Sequence, residues 1–338
     1  MTSIHEPPPR EARRRWLPPA RDVAPLISLA ALIVFFAIAS PSFLKPVTAV
    51  QILQQGAALA IVSSGLTFVL LSAEIDLSVG MVALWTGCFC GWLLQNFAGP
   101  AAQDASFGRV ALLILLPLAS AVLLGAMAGV LTVWARLPSF IITLAMMYIA
   151  EGSARWLTQS ETLDVPEVLK TIGNRGIELT DRIMLPYSAL LAAVVMLIGH
   201  VVLQHTRLGR YIYMTGGNRE ATRLAGVRTG RIVVACLAIS ALTAGMGGLI
   251  TAGRLNSVSL DQNQDLLLSA VACVVLGGTS LFGGEGGMGK TLVGVLTFTV
   301  LNIGLVQIPS IDDLARQLLL GVVLMAALVM NGLLGKRG

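Results

Sequence analysis

Ten apolar stretches alternate with short polar segments along the chain. They lie at residues 23–40, 49–72, 78–97, 109–134, 138–157, 186–203, 231–252, 266–281, 290–308 and 314–333. A helix needs about 20 mostly apolar residues to cross the hydrocarbon core of a bilayer. The pattern therefore predicts an all-α polytopic membrane protein with about ten transmembrane helices.

Small residues recur within these stretches, most densely at 125–129 and 244–248. Glycine and alanine let the backbones of neighbouring membrane helices approach each other closely. We therefore expect the predicted spans to pack into one compact bundle.

Positive charges predict the orientation of the bundle. Residues 1–22 are rich in Pro and Arg and have no apolar core, which predicts a disordered basic tail. An even number of spans places both termini on the same side of the membrane. The five arginines of the tail, together with Lys336 and Arg337, place that side in the cytoplasm. The transmembrane domain then extends over residues 23–334.

With cytoplasmic termini, the loops alternate between the two sides. Segments 136–138 and 204–231 are predicted to be cytoplasmic, whereas 98–108, 158–185 and 253–265 are predicted to be periplasmic. The loop at 158–185 is the longest of the outer loops and is mildly acidic. We expect it to hold a short helix that lies along the membrane surface.

Composition agrees with a membrane protein and narrows the possible functions. The chain is 55% hydrophobic and 12% charged, whereas a soluble domain carries about 25% charged residues. The net charge of +5 follows from the bias of basic residues towards cytoplasmic loops, so it does not indicate a nucleic-acid partner. No catalytic triad, Cys/His nucleophile pair or zinc-ligand spacing is present, so we expect neither catalysis nor a bound cofactor or metal. The four cysteines all lie in apolar stretches, where they act as small buried hydrophobic residues.

The polar island at 204–231 is the most informative segment, because it carries six arginines between two apolar stretches. Gly209 and the pair Gly216-Gly217 permit sharp bends. Asn218 is placed to cap a short helix at 219–225, which Gly226 can end. Two interpretations remain equal at this point: the helix contacts another protein, or the island is a basic loop that only sets topology.

Two acids follow the second apolar stretch. Glu74, Asp76 and Ser78 alternate in the sequence EIDLS. Carboxylates at membrane depth are costly and mark transport pathways, which predicts a role in gating. Alternatively, Asp76 or Ser78 caps the third span from the cytoplasmic surface. The two interpretations are compatible.

Other polar positions are candidates for the path of the solute. Glu151 is the main titratable residue within a span, and its spacing from Arg155 also permits an intrahelical ion pair. Asn263 and Gln264 precede the eighth span, at its predicted outer mouth, and Asn302 lies in the ninth. Amides there suit a neutral polyhydroxyl solute, which needs many hydrogen bonds and no counter-charge.

Residues 284–291 match the phosphate-binding pattern GxxxxGK[ST]. That loop requires a preceding strand, a following helix and an acidic partner for magnesium. Here the flanking segments are apolar spans. The sequence therefore favours a Gly-rich turn at the cytoplasmic surface over a nucleotide site.

Four segments follow each other in a characteristic order: EIDLSVG (74–80), RLPSFIITLAMM (136–147), HTRLGRYIYMTGGNREATRLAGV (205–227) and VVLGGTSLFGGEGG (274–287). Together they resemble the permease subunits of bacterial ABC sugar importers of the ribose/xylose type, over nearly the whole chain after residue 23. Two positions depart from the family pattern. Ala73-Glu74 stands where the family has Gly-Gly, and residues 263–266 read Asn-Gln-Asp-Leu where it has a Gly-Tyr-Glu-Leu type of sequence.

The resemblance implies a non-catalytic, multi-pass permease of the bacterial inner membrane that translocates a monosaccharide or a related polyol. Partner ATPase subunits would bind ATP and Mg, a periplasmic solute-binding protein would deliver the sugar, and a second copy or a paralogous permease would complete the pore. The island would be the coupling loop that docks on the ATPase, with contacts from Gly216, Gly217, Asn218, Arg219, Glu220, Ala221, Arg223, Leu224, Ala225 and Gly226.

A different class of transporter remains as an alternative. A secondary transporter driven by an ion gradient would need a buried titratable coupling group, and Glu151 is the candidate for that group.

Overall fold

The computed structural model describes residues 20–98, 107–180, 183–308 and 311–335. Within these ranges the chain forms thirteen α-helices: α1 (Ala20–Ala39), α2 (Pro46–Leu71), α3 (Val79–Leu93), α4 (Phe107–Ala135), α5 (Ser139–Thr158), α6 (Glu167–Asn174), α7 (Tyr187–His205), α8 (Arg207–Gly217), α9 (Arg219–Leu224), α10 (Thr229–Leu255), α11 (Leu266–Leu276), α12 (Met288–Val306) and α13 (Asp313–Gly335). A π-helical turn, Leu94–Ala98, extends α3. Four short strands are β1 (Leu163–Asp164), β2 (Gly176–Thr180), β3 (Ile183–Pro186) and β4 (Ser257–Val258).

Each of the ten predicted spans coincides with one helix of the structure. In the described part of the chain, five helices have the length and apolar character needed to cross a membrane: Pro46–Leu71, Gly108–Ala135, Tyr187–His205, Thr229–Leu255 and Met288–Val306. The protein is therefore a mainly helical, polytopic membrane protein.

The eighth predicted span was drawn too long. We predicted 266–281, but α11 ends at Leu276. At 1.5 Å per residue it extends only about 16 Å, roughly half the thickness of the hydrocarbon core. The helix stops because glycines follow, and Gly278 has a φ of 95°, which a helix cannot contain.

The centre of the bundle is formed by α2 and α10, and glycine residues bring their backbones close to their neighbours. A Cβ on Gly248 of α10 would lie 2.1 Å from the carbonyl oxygen of Ala83 on α3. A Cβ on Gly125 of α4 would lie 2.5 Å from the carbonyl oxygen of Leu237 on α10. The predicted close packing through small residues is thus confirmed. The four cysteines are buried and free.

One end of the bundle carries the short strands and α6. Strands β1 and β4 pair antiparallel, with Leu163 opposite Val258. Strands β2 and β3 form a second antiparallel pair. Helix α6 confirms the short helix predicted within 158–185, and it packs on the end of α10, where a Cβ on Gly253 would lie 2.2 Å from the carbonyl oxygen of Leu169. The segments predicted at 158–185 and at the start of 253–265 therefore lie together.

Several predictions concern residues outside the described part. These are residues 1–19 of the basic tail, most of the loop at 98–108, and Lys336 with Arg337 at the C-terminus.

Candidate functional site

The island at 204–231 contains two helices, α8 and α9, with Asn218 alone between them. The carbonyl oxygen of the Asn218 side chain accepts a hydrogen bond of 2.9 Å from the backbone N–H of Ala221. Gly226 follows α9 with a φ of 83°. The short capped helix predicted at 219–225 is therefore confirmed, although it ends one residue earlier, at Leu224.

Helix α8 was missed. The sequence permits sharp bends at Gly209, Gly216 and Gly217, but all three glycines are helical. Two of them permit close contact instead of a turn. A Cβ on Gly209 would lie 2.1 Å from the carbonyl oxygen of Leu203, and one on Gly216 would lie 1.9 Å from that of Leu71.

A signal for α8 was present in the sequence. Leu208, Tyr211, Ile212 and Thr215 recur at helical spacing. Ile212 and Thr215 are buried in the structure, and Leu208 and Tyr211 pack against the core.

Helix α9 turns most of its side chains outward. Thr222 is buried and donates a hydrogen bond of 2.7 Å to the carbonyl oxygen of Asn218. Glu220 and Arg223 form an exposed ion pair of 2.9 Å, and Leu224 is 79% exposed. Leu224 thus leaves one apolar side chain open on a charged, capped helix.

Backbone meets backbone where α2, α8 and the loop before α12 come together. We call this place the glycine junction, and it consists of Leu71, Gly216, Gly283 and Gly284. The N–H of Gly284 donates a hydrogen bond of 3.0 Å to the carbonyl oxygen of Leu71. Since Gly216 packs against that same carbonyl, little space remains there for any side chain.

Helix α2 ends in a turn that normally requires glycine. The N–H groups of Ala73 and Glu74 donate to the carbonyl oxygens of Leu70 and Val69 at 3.0 and 3.1 Å. This is the Schellman pattern of helix termination, and it places Ala73 at a φ of 59°. Alanine adopts this left-handed conformation at a cost of about 1–2 kcal/mol.

Glu74, the next residue, is tied to the coupling-loop candidate. Its side chain is only 6% exposed, and its carboxylate accepts a hydrogen bond from the guanidinium of Arg219, the first residue of α9. The side chain of Arg219 is 52% exposed, so the pair joins a buried anion to a half-exposed cation. The two residues are 145 positions apart in the sequence.

Asp76 is buried at the start of α3. Its Oδ1 accepts hydrogen bonds from the N–H and the hydroxyl of Ser78, at 2.9 and 2.6 Å, and its Oδ2 accepts one of 2.8 Å from the hydroxyl of Ser240 on α10. Burial raises the pKa of the Asp76 carboxyl, although these hydrogen bonds act in the opposite direction. Neither predicted cap is made. Ser78 occupies the N-cap position of α3 but its side chain accepts no hydrogen bond from the helix, and Asp76 binds the N–H of Ser78, just before the helix begins.

The backbone between these acids is held by α5. The N–H of Ile75 donates to the hydroxyl of Ser139 at 3.0 Å, and the N–H of Leu77 donates to that of Thr143, also at 3.0 Å. We call residues 74–78 the acidic segment. It contacts α5 and α10 along its length, α9 at one end and α3 at the other.

Glu151 lies apart from the acidic segment. Its carboxylate bonds to Arg155 one turn later at 2.8 Å, and both side chains are partly exposed. The predicted intrahelical ion pair is thus confirmed.

Asn263 lies deeper in the bundle than predicted. We placed it at the outer mouth, but a Cβ on Gly80, in the first turn of α3, would lie 2.9 Å from the carbonyl oxygen of Asn263. The strand residue Val258 lies against Gly87, two turns further along α3. The chain therefore descends along α3 between β4 and α11. The placement failed because a short α11 leaves room that a full span would have filled.

Gln264 and Asn302 are not brought to the acidic segment. Gln264 is exposed and its amide lies 3.5 Å from Asp261, while Asn302 is half-buried on α12. In the part of the chain that the structure describes, no hydrogen bond joins Gln264, Asn302 or Glu151 to residues 74–78.

The segment at 284–291 has a different architecture from a phosphate-binding loop. The element before it is helix α11 and not a strand. Thr291 is fully buried, and its hydroxyl lies 2.7 Å from that of Thr67 in α2. The N–H of Gly287 donates to the hydroxyl of Thr279 at 3.4 Å. The loop thus uses its own polar groups to pack between α2, α11 and α12.

Comparisons with known proteins agree with this arrangement. Residues 48–328 match the family described as "Branched-chain amino acid transport system / permease component". The chain is 33% identical over 308 residues to the ribose import permease protein RbsC of Escherichia coli (strain K12). The aligned region covers 90% of this chain and 92% of that protein. It is 30% identical over 314 residues to the fructose import permease protein FrcC of Rhizobium meliloti, and this alignment covers 91% of this chain and 84% of that protein. No solved structure matches the chain.

Proposed function

Because the chain belongs to the family of permease components of branched-chain amino acid transport systems, we propose that it is the permease subunit of an ATP-driven importer for a monosaccharide or related polyol. The ribose and fructose permeases among its relatives favour a sugar over an amino acid. The protein is a multi-pass protein of the bacterial inner membrane. About ten spans with both termini in the cytoplasm complete the proposed topology.

The observation that carries the proposal is the build of α9. It is capped by Asn218, anchored by the buried Thr222, and exposes Leu224 to 79%. Such a helix is rigid and offers an apolar contact on a charged face, which suits docking into a groove of a partner ATPase. The docking residues are those of the proposed coupling loop: Gly216, Gly217, Asn218, Arg219, Glu220, Ala221, Arg223, Leu224, Ala225 and Gly226.

The contacts of α9 suggest how movement of the ATPase reaches the membrane helices. Arg219 bonds to Glu74, and the acidic segment continues to Asp76, which bonds to Ser240 on α10. A displacement of α9 is therefore passed to the start of α3 and to α10, two helices of the bundle. Closure of the cassettes on ATP and Mg would drive that displacement and alternate the access of the pore.

The remaining partners follow from the same class of transporter. A periplasmic solute-binding protein delivers the sugar, and a second copy or a paralogous permease completes the pore. Glu74, Asp76, Ser78 and Asn263 are candidates for gating, whereas Glu151, Gln264 and Asn302 stay candidates for the solute path.

The ion-gradient alternative loses its basis in the structure. It required Glu151 as a buried titratable group. Glu151 instead pairs with Arg155, and its own side chain is 29% exposed.

Substitution of Leu224 tests the docking surface. Leu224→Asp places a charge on the exposed face of α9 without removing a contact within the chain. We expect it to abolish recovery of the ATPase with the tagged chain and to abolish sugar uptake. The matched control is Leu179→Asp on β2, because Leu179 is 61% exposed and lies in the strand-bearing part of the chain.

Both variants and the wild-type chain are isolated from their own cells in mild detergent, and co-purifying ATPase activity is measured. The control should retain the ATPase. The proposal fails if the wild-type chain recovers no ATPase, or if Leu224→Asp recovers as much as the wild type.

A further inference from the structure

An open groove of about 520 Å³ lies between the end of α4 and the start of α10. One wall consists of Val130, Val133 and Trp134 of α4, and the other carries Arg228 and Arg231. Neither wall has a role in the docking surface or in the acidic segment.

The α4 wall is apolar and open. Val130 is 53% exposed, Val133 is 41% exposed and Trp134 is 79% exposed. In the most apolar 18-residue stretch of this helix, only 22% of the residues are buried within the protein. Most of the helix surface therefore faces the surroundings of the bundle. In a membrane-spanning helix these surroundings are acyl chains. Tryptophan is enriched where the chains meet the headgroups, which places Trp134 at that depth.

The opposite wall is cationic. Arg228 precedes α10 and Arg231 lies in its first turn, and both are exposed. None of the ion pairs between described residues includes either arginine. Two guanidinium groups at the headgroup depth, beside an apolar wall, form a site for a ligand that has an anionic head and an apolar tail.

We propose that this groove binds an anionic phospholipid of the cytoplasmic leaflet. Its phosphate contacts Arg228 and Arg231, and one acyl chain lies along Val130 and Val133. The charge of the arginines and the exposed apolar wall are both used by this ligand, whereas a free phosphate leaves the wall uncovered. The assignment of the groove to the cytoplasmic leaflet rests on the proposed function, whereas the groove itself does not.

The position of the site has a consequence for coupling. Arg228 lies four residues after Leu224, the last residue of α9. A bound lipid therefore braces the point where the coupling loop re-enters the bundle. Lipid composition would then alter how firmly α9 is held.

Lipid binding to the full chain in detergent tests the proposal. Native mass spectrometry measures binding of phosphatidylglycerol and of phosphatidylcholine with the same acyl chains. Arg228→Gln with Arg231→Gln should weaken binding of phosphatidylglycerol about thirtyfold, which corresponds to about 1 kcal/mol for each arginine. Phosphatidylcholine has the same phosphate but its choline ammonium offsets the charge, so its binding should be weaker in the wild type and should change less in the double variant. The matched control is Arg207→Gln with Arg210→Gln, which removes two exposed arginines from α8.

A second variant separates a lipid from a simple anion. Trp134→Ala keeps every charge, and we expect it to weaken phosphatidylglycerol binding severalfold. Excess inorganic phosphate should compete poorly. Equal losses in the two double variants, full competition by inorganic phosphate, or no preference for phosphatidylglycerol over phosphatidylcholine would each overturn the proposal. No ATPase is present in this assay, so its result is independent of the docking test, and unchanged thermal stability of the variants in phosphatidylcholine excludes misfolding.

Discussion

The ion pair between Glu74 and Arg219 gives the sharpest test of the link from α9 to the bundle. Its two ends differ in burial, since the Glu74 side chain is 6% exposed and that of Arg219 is 52% exposed. Removing the arginine leaves a buried carboxylate without its partner. Removing the glutamate leaves a cation that water can solvate. The two single variants, Arg219→Gln and Glu74→Gln, should therefore have unequal effects.

The magnitudes follow from this asymmetry. Arg219→Gln should lower the free energy of unfolding by about 3 kcal/mol, at the low end for a broken buried pair because one partner is half exposed. Glu74→Gln should cost about 1 kcal/mol, the usual value of one hydrogen bond. The double variant has no buried charge, so it should be more stable than Arg219→Gln alone by about 2 kcal/mol.

Tryptophan fluorescence during unfolding in mixed micelles measures these free energies. The control is Arg223→Gln, whose partner Glu220 is 64% exposed, so its loss should cost less than about 1 kcal/mol. In the assembled importer, both single variants should also raise the amount of ATP hydrolysed for each sugar transported, because the ion pair no longer links the acidic segment to α9.

Equal destabilisation by the two single variants would refute the asymmetry in burial. Additive effects in the double variant would show that the two side chains do not interact. An unchanged ratio of hydrolysis to transport in both single variants would remove Glu74 from the proposed coupling route, even if the stability effects were as expected.

Three further predictions concern the same region. Gly216→Ala should destabilise the protein by about 3 kcal/mol through overpacking, whereas Gly217→Ala, where a new Cβ meets nothing within 4 Å, should be neutral in the same unfolding assay. Ala73→Gly should raise the midpoint of unfolding, because relief of about 1–2 kcal/mol of left-handed strain exceeds the entropy cost of glycine, which is about 0.5–1 kcal/mol. Burial raises the pKa of the Asp76 carboxyl above its ordinary value of 3.8, so ionisation opposes folding at neutral pH. The wild type should therefore gain stability relative to Asp76→Asn as the pH falls from 7 towards that value, and a pH series of unfolding curves that run parallel would contradict this.

Local features of the island were predictable from the sequence. The cap at Asn218 and the glycine at 226 lie within a few residues of α9, so short-range rules describe that helix. Helix α8 escaped those rules, because the glycines at 209, 216 and 217 are typical of turns. Two of these glycines instead let a helix touch distant backbone, at Leu203 and Leu71, and only the tertiary structure shows that contact.

Pairings across the chain were not predictable. Glu74 and Arg219 were each predicted to matter, but 145 residues separate them, and a single sequence carries no sign that they meet. The predicted depth of Asn263 was wrong for a related reason. Leu281 and Phe282 follow the small residues 277–280, and including them in the eighth stretch extended a half-length helix to the length of a full span.

The glycine junction affects how much of a displacement of α8 is transmitted to α2. Where side chains separate two helices, rotamer changes absorb part of any movement. At Leu71, Gly216 and Gly284 there is only main chain, held by the 3.0 Å hydrogen bond from Gly284 to Leu71. No side chain separates the backbones at the glycine junction, so no rotamer change can absorb a movement, and the end of α2 has to move when α8 moves. A joint of this kind favours an all-or-none switch over a graded response.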